Sequence, residues 1–337
     1  MKILRNAIEA AKDYDTVFID VYGVLFNGVT LFDGVPETLQ ELHQSGKKVV
    51  ILSNTTQLSA DAICGYGERG IYKGVHYDYF ITSGEFLRSI LISNKNVIEQ
   101  KIDREFNTYK CLFMSNSNIF DNTGITKVEH YSDADLVYVA PPRASYGSIR
   151  VDRLQDSNGC HVSLQDFTYK NWLELSDDQG LKGLAEVHGL LEKLAQMDKP
   201  LLIANPDVFA FLHLNGESCP ALTQGGVGTY YEHKFKGKVV CFGKPYTEIY
   251  EFAKSVSNAS GKILMIGDTL WTDILGAQSS NIDSALVQTG ITGALKEECP
   301  QKDIDSQLKM LISLGEKISG QKNALPTYLL DQFARRI

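Results

Sequence analysis

Polar side chains stand directly after four predicted strands, and their types suit the handling of phosphate. The residues at these strand ends are Asp20, Ser53, Asn54, Lys244, Asp268 and, five positions further on, Asp273. In an open parallel sheet, ligands bind outside the carboxyl ends of the strands, so we expect these side chains to meet. Carboxylates suit a hard cation, and a lysine holds phosphate oxygens. The set predicts a site for a phosphoryl group and Mg²⁺.

Each of these residues also has an ordinary structural interpretation. Asp20 and Asp268 could cap the turns that follow them, and Ser53 could begin a helix. Lys244 could be a solvated surface side chain. For any one residue the structural interpretation is favoured. The order and agreement of four strand ends favour the shared functional interpretation.

The elements that position these residues alternate between strand and helix in both terminal parts of the chain. A helix is predicted at 3–11, and strands are predicted at 16–20, 48–52, 79–82, 238–242, 262–266 and 283–287. Helices are predicted between the strands, at 36–45 with Gly46 just past the end, and at 58–69, 85–91, 245–256 and 270–279. This alternation predicts a doubly wound parallel α/β sheet, covered by helices on both faces.

The middle of the chain differs in texture and is predicted to be an inserted second domain. It has short apolar strands at 111–114, 136–140 and 201–204, a helix at 180–196 and a polar segment at 141–178. The predicted division is a core at 1–88, an insertion at 89–235 and the rest of the core at 236–337. An amphipathic stretch within 297–337 is expected to close the core.

Composition excludes several classes of protein. The 337 residues are 43% hydrophobic and 22% charged, which are globular proportions, and the formal charge of −8 with no dense basic run gives nucleic acid no binding surface. The six cysteines form no CxxC pair, so we expect buried thiols in a reducing compartment. No run approaches the roughly 20 apolar residues that span a bilayer. We therefore expect a cytoplasmic protein that binds neither membrane nor nucleic acid.

Five motifs carry a family resemblance across residues 15–290. They are Asp20-Val-Tyr-Gly-Val-Leu25, Leu52-Ser-Asn54, Asn205-Pro-Asp207, Gly243-Lys-Pro245 and Ile266-Gly-Asp-Thr-Leu-Trp-Thr-Asp273-Ile-Leu-Gly276. In this order they resemble those of the haloacid dehalogenase-like (HAD) hydrolases, in particular the class IIA, NagD-like branch. The resemblance implies a Rossmann-like core with an inserted α/β cap of the C2 type at 89–235. It also implies a Mg²⁺-dependent phosphatase for a small phosphorylated metabolite, such as a sugar phosphate or a nucleotide.

The resemblance implies a role for each site residue. Asp20 would attack phosphorus and become an aspartyl phosphate. Ser53 and Asn54 would bind phosphoryl oxygens. Lys244 would neutralise charge on Asp20 and on the phosphoryl group.

The same resemblance implies the Mg²⁺ ligands and admits a dimer. Asp20 and Asp268 would coordinate Mg²⁺ together with the backbone carbonyl of Tyr22. Asp273 would hold a metal-bound water or Lys244. Capped relatives often form dimers, so the resemblance also admits a homodimer.

Tyr22 departs from the family pattern, which usually has an acid/base Asp two residues after the nucleophile. A tyrosine with a pKa of about 10 can donate a proton at neutral pH but is a poor base, and losing a general acid/base typically costs about 10²–10⁴-fold in rate. Slow turnover or a surrogate base from the cap would follow. The alternatives are a protein that binds a phosphorylated ligand with negligible turnover and a transferase whose acceptor is not water.

The inserted segment holds four further candidates. His161 and Asp166 are candidates for a surrogate base, and the alternative is that each is an ordinary solvated side chain of a polar loop. Asp207 is expected to hold a turn rather than face the substrate, since Asn-Pro dipeptides start turns. The glycine-rich Gly225-Gly-Val-Gly228 lacks the spacing of a phosphate loop, and we expect a hinge there.

Overall fold

The computed structural model describes residues 1–114, 117–139, 182–214, 217–293, 303–319 and 325–335. Their strands are β1 (Lys2–Leu4), β2 (Thr16–Ile19), β3 (Lys48–Ser53), β4 (Tyr79–Thr82), β5 (Lys110–Phe113), β6 (Thr126–Val128), β7 (Leu136–Tyr138), β8 (Leu201–Ile203), β9 (Phe209–Leu214), β10 (Glu217–Leu222), β11 (Val239–Cys241), β12 (Ile263–Gly267), β13 (Asp283–Val287) and β14 (Tyr328–Leu330).

The α-helices among these residues are α1 (Ala7–Ala10), α2 (Val35–Gln44), α3 (Ser59–Gly67), α4 (Ser83–Ser93), α5 (Asn96–Ile102), α6 (Lys182–Gln196), α7 (Gln224–Phe235), α8 (Thr247–Ser257), α9 (Leu275–Ser279) and α10 (Ile304–Ser319). One turn of π-helix, Leu270–Ile274, precedes α9. His161, Asp166 and most of the polar segment at 141–178 lie outside the described residues.

The larger sheet has seven parallel strands in the order β1-β14-β13-β12-β2-β3-β4. Alternate side chains of its central strands enter two separate hydrophobic cores: Val17 and Ile266 pack on one face, and Phe18 and Met265 on the other. Burial on both faces explains why β2 and β3 are nearly continuous apolar runs. The predicted doubly wound α/β class is confirmed.

A second parallel sheet, in the order β11-β8-β7-β5-β6, is formed by residues that the chain inserts between β4 and β12. Helix α7 packs on β8 and β11, and β9 and β10 form a separate antiparallel pair. The domain limits at 88/89 and 235/236 stay a prediction.

The strand expected at 238–242 lies in this second sheet and not in the larger one. Val239 and Cys241 of β11 pair with Leu201 and Ile203 of β8. The strand follows directly on α7, which is already packed against β8, so the nearest open sheet edge is that of the inserted unit. The prediction that this strand joins the core sheet was therefore wrong.

The predicted helix at 3–11 is another correction. Lys2–Leu4 pairs with β14 in the larger sheet, and Asn6 begins a four-residue helix by accepting a hydrogen bond from the backbone N–H of Glu9. Pairing across more than 300 residues overrides the local helical spacing, and β14 itself is too short to be evident in the sequence.

The expectation of buried thiols holds for only one of three cysteines whose exposure is described. Cys111 is buried in β5, Cys241 is half-buried, and Cys64 is exposed. Cys64 lies on α3, where Ala62 is the buried residue, so that most of this helix faces solvent. Within the described parts of the chain, we find no helix with the length and apolar character needed to cross a membrane.

Candidate active site

The carboxyl ends of β2 and β12 bring two aspartates together at the edge of the larger sheet. Ile19 and Ile266 are partners in the ladder, and the backbone N–H of Asp20 donates to the Ile266 carbonyl at 2.9 Å. Asp20 and Asp268 therefore leave adjacent strands at nearly the same level, as the sequence predicted.

A buried lysine joins two of the carboxylates. Lys244 is 1% exposed, and its Nζ lies 2.5 Å from Asp20 Oδ1 and 2.6 Å from Asp273 Oδ1. Burial alone would lower the pKa of this ammonium group, but the charges of Asp20 and Asp273 outweigh burial and raise the pKa above its ordinary value. Lys244 is therefore charged, and it holds the candidate nucleophile in place.

Asp268 is fixed by hydrogen bonds and by two glycines. Its Oδ2 accepts from the backbone N–H of Ile291 and its Oδ1 from the Thr269 hydroxyl, each at 2.9 Å. Gly23 (φ +80°) and Gly290 (φ +57°) lie so close that a Cβ on either would overlap Oδ2 of Asp268. Both glycines are therefore required by positive φ and by the close approach of the backbone.

The π-turn positions Asp273. Within Leu270–Ile274, the backbone N–H of Ile274 donates to the Thr269 carbonyl at 3.2 Å, five residues back. Asp273 Oδ2 in turn accepts from the backbone N–H of Thr269 at 3.2 Å. We expected a regular helix over 270–279. The π-turn contains one residue more than an α-helical turn, and such a local departure often accompanies functional sites.

The three carboxylates together fit a divalent cation. One oxygen from each of Asp20, Asp268 and Asp273 lies within 4.8 Å of the others. An all-oxygen donor set held by hydrogen bonds suits Mg²⁺, Ca²⁺ or Mn²⁺ rather than a metal that prefers nitrogen or sulfur. These residues therefore fit the metal that the family resemblance implies.

The electrostatics of the cluster also favour a bound cation. Burial raises the pKa of Asp20 well above its ordinary value, and Asp273 and Asp268 add to this against the opposing charge of Lys244. Burial and the neighbouring Asp273 raise the pKa of Asp268 to about 7. The cluster thus holds three carboxylates and only one lysine, and a bound cation would reduce the repulsion among the carboxylates.

Ser53 and Asn54 differ in what they contact. Ser53 is buried, its hydroxyl accepts from the backbone N–H of Thr55 at 3.2 Å, and it is not among the residues that line the cavity beside Asp20. Asn54 Oδ1 accepts from the Lys244 N–H at 2.7 Å, and its Nδ2 donates to the Lys244 carbonyl and to Asp207 Oδ1, both at 3.0 Å. Asn54 therefore fixes the backbone of Lys244 by hydrogen bonds. A phosphate contact from Ser53 or Asn54 stays a prediction.

Tyr22 lies at the mouth of the site. The residue lines the cavity together with Asp20 and Lys244 and is 40% exposed, and its ring packs edge-on against Phe26 with ring centres 5.4 Å apart. The cavity measures about 40 Å³, far below the roughly 300–1,000 Å³ of ordinary ligand sites. In this conformation it has room for the small end of a substrate only.

Asp207 is the residue that sequence reasoning placed least well. Asn205 Oδ1 accepts from the Asp207 N–H at 2.9 Å, so the expected turn forms, yet Asp207 is also one of the residues that line the cavity beside Asp20. Burial raises the pKa of Asp207 to about 6, against the lowering influence of Lys244 and Asn54. The Asn205-Pro-Asp207 motif was the available signal, but its orientation depends on the contacts of the inserted unit with the core.

The glycines at 225–228 are helical, which corrects the expected hinge. They lie in the first turns of α7, where a Cβ on Gly225 would overlap the carbonyl oxygens of Pro206 and Asp207. The Gln224 side chain accepts from the backbone N–H groups of Ala204 and Asn205 at 3.1 and 2.9 Å. The first turn of α7 therefore packs closely against the turn that contains Asp207.

Gly225→Ala should destabilise the protein by about 1–3 kcal/mol, because the added methyl group displaces this turn. The free energy of unfolding, measured by urea denaturation, checks the prediction. Gly189→Ala is the matched control, since Gly189 in α6 has nothing within 4 Å of its Cβ position and alanine favours a helix. Equal effects of the two substitutions would contradict the close packing at Gly225.

Two family models match the chain. A haloacid dehalogenase-like hydrolase model matches residues 17–119, and a HAD-hydrolase-like model matches residues 241–311. A curated relative is chloroplastic phosphoglycolate phosphatase 1A of Arabidopsis thaliana, which is 23% identical over 322 residues, covering 89% of this chain and 76% of the relative.

Solved structures share the fold over nearly the whole chain. A haloacid dehalogenase-like family hydrolase from Brucella suis 1330 is 20% identical with a TM-score of 0.66, covering 98% of this chain and 100% of that one. A possible sugar phosphatase of the HAD superfamily from Cytophaga hutchinsonii is 19% identical with a TM-score of 0.65, covering 99% and 100%. With its family models, its two parallel sheets and its motifs, the chain belongs to the haloacid dehalogenase-like hydrolases.

Proposed function

We propose that this hydrolase is a Mg²⁺-dependent phosphatase that acts on a small phosphorylated metabolite through an aspartyl phosphate on Asp20. The observation that carries the proposal is the position of Lys244 Nζ between the carboxylates of Asp20 and Asp273, beside a group of three carboxylates that fits a divalent cation. A named phosphoglycolate phosphatase and a possible sugar phosphatase among the similar proteins support a small organic phosphate as substrate.

Asp20 would attack phosphorus while the bond from phosphorus to the leaving oxygen breaks. Lys244 would favour the ionised form of Asp20, orient it and offset charge on the phosphoryl oxygens, since charge neutralisation and positioning dominate phosphoryl transfer. Water would then attack the aspartyl phosphate and release inorganic phosphate. Asp20, Asp268 and the Tyr22 carbonyl would hold Mg²⁺, with Asp273 beside them and ion-paired with Lys244. The bound ion would supply stabilisation of the negative charge of the phosphoryl group.

The substrate class is expected to be a sugar phosphate or a nucleotide. A cavity of about 40 Å³ has room for the small phosphoryl end only, so the leaving group must reach past Asp207 toward the inserted unit. The inserted unit would then select the leaving group and exclude water by closing over it. A homodimer and a cytoplasmic location stay predictions from the sequence.

The test is release of inorganic phosphate from a panel of phosphate monoesters, with Mg²⁺ and with EDTA. We expect metal-dependent release and a higher midpoint of thermal unfolding with Mg²⁺, because a ligand at 100 times its Kd stabilises the folded state by about 2.7 kcal/mol. Equal rates in Mg²⁺ and EDTA would contradict the metal-dependent mechanism.

Tyr22 favours a second candidate, a protein that binds a phosphorylated ligand without turnover. That protein would show the same stabilisation by Mg²⁺ and a further one by the ligand. It would release no phosphate from any monoester.

A further inference from the structure

Hydrolysis through an aspartyl phosphate needs one group that gives a proton to the leaving oxygen and takes one from water. Tyr22 stands where the family has an aspartate, and a tyrosine phenol, whose reference pKa is about 10, is a poor base at neutral pH. Its ring is packed against Phe26 and 40% exposed. Another group at the cavity therefore has to take the proton from water.

The carboxylates on the core side are already committed. Asp20 and Asp273 are ion-paired with Lys244, and Asp268 accepts hydrogen bonds at both oxygens, from Ile291 and Thr269. Asp207 is different, because it reaches the cavity from the inserted unit and is not ion-paired with Lys244. Its Oδ1 accepts from Asn54, and its Oδ2 has no hydrogen-bonding partner among the described residues.

Asp207 is also held rigidly, as an acid/base must be. Its backbone N–H donates to Asn205 Oδ1, its carbonyl accepts from the Thr223 hydroxyl, and α7 packs directly on its turn. The Asn54 side chain hydrogen-bonds the Asp207 carboxylate and also the backbone N–H and carbonyl of Lys244. The group therefore keeps a fixed position relative to Lys244 and Asp20.

We propose that Asp207 is the general acid and base of this enzyme, in place of the residue that Tyr22 replaces; the proposal rests on the phosphatase function proposed above. In the first step the protonated carboxyl gives its proton to the leaving oxygen as the bond to phosphorus breaks. In the second step the carboxylate takes a proton from the water that attacks phosphorus, which frees Asp20 and inorganic phosphate and restores the starting state.

The charges around Asp207 suit both steps. Lys244 favours the carboxylate, Asp273 disfavours it, and burial disfavours it most, so that the pKa lies at about 6. A group in this range is present in both protonation states near neutral pH, which is the condition for efficient proton transfer in each direction.

The test compares Asp207→Asn with the wild type on an alkyl phosphate and on p-nitrophenyl phosphate, whose phenolate leaves without a proton. Asparagine keeps the shape and can still accept from Asn54. With the alkyl phosphate we expect kcat to fall by about 10²–10⁴-fold. With p-nitrophenyl phosphate we expect one burst of nitrophenolate, accumulation of hydroxylamine-sensitive phosphoenzyme and slow later turnover that added formate accelerates.

Asp133→Asn is the matched control, since Asp133 is an exposed carboxylate of the same inserted unit, outside the site. Circular dichroism and the thermal midpoint establish that each variant is folded, and Asp207→Ser, which also lacks a carboxyl group, replaces Asp207→Asn if the latter is not. Turnover by Asp207→Asn within a few-fold of the wild type, or loss of the burst together with turnover, overturns the assignment. A wild type that forms no phosphoenzyme and releases no phosphate overturns the phosphatase function itself, and the assignment with it.

Discussion

Asp20→Asn should abolish phosphate release, with kcat/KM reduced by at least about 10⁴-fold, because an amide cannot form the acyl phosphate. Stability should not fall in parallel. Asp20 is buried beside Asp268 and Asp273, and burial and these two neighbours raise its pKa, so neutralising it relieves repulsion in the protein without metal. Phosphate release and thermal unfolding in EDTA, measured on the same preparation, check both halves of the prediction.

Asp15→Asn is the control for this substitution. Asp15 lies just before β2, and its side chain accepts from the backbone N–H of Lys262 at 2.8 Å, at the end of the strand opposite the site. Its replacement should leave kcat unchanged. Residual activity of Asp20→Asn above one hundredth of the wild type would show that another group attacks phosphorus.

Lys244→Met has the largest expected effect on stability. Removing one member of a buried ion pair leaves uncompensated charge and typically costs about 3–5 kcal/mol. Lys244 serves two partners, Asp20 and Asp273, so the cost in EDTA should lie at the upper end. Mg²⁺ should restore part of the loss, since it neutralises the same carboxylates, whereas activity should stay lost.

Urea denaturation with EDTA and with Mg²⁺ measures these differences. The double variant Lys244→Met with Asp20→Asn is informative, because it removes the ammonium group and one of the charges that it compensates. We expect it to be more stable in EDTA than Lys244→Met alone. If Asp20→Asn changes the free energy of unfolding by the same amount in the Lys244→Met variant as in the wild type, the coupling of the two residues is contradicted.

Local sequence signals were enough to predict the core sheet and its strand-end residues. Continuous apolar runs mark β2, β3, β12 and β13, and the rule that ligands bind at the carboxyl ends of parallel strands placed Asp20 and Asp268 at one edge. Asp273 followed from its position five residues after Asp268, whereas Lys244 was predicted at the site from a strand that lies in the second sheet. The structure brings these four side chains together.

What the sequence left open depends on contacts between distant segments. The pairing of β1 with β14 joins segments near the two ends of the sequence. Strand β11 pairs with β8 in the second sheet because α7, which precedes it, packs against that sheet. Asp207 has the local sequence of a turn, and only the approach of the inserted unit to Asn54 turns its carboxylate toward the cavity. None of these contacts leaves a periodic or compositional trace.

The pairing of β11 with the second sheet bears on how far this enzyme is modular. Lys244 follows β11 by three residues, so the residue that neutralises Asp20 is anchored to the inserted unit, while its partners Asp20 and Asp273 belong to the core. Excising the insertion, or grafting a foreign one in its place, would also remove the anchor of the lysine. The insertion is therefore a structural part of the proposed catalytic centre and cannot be exchanged as an independent accessory.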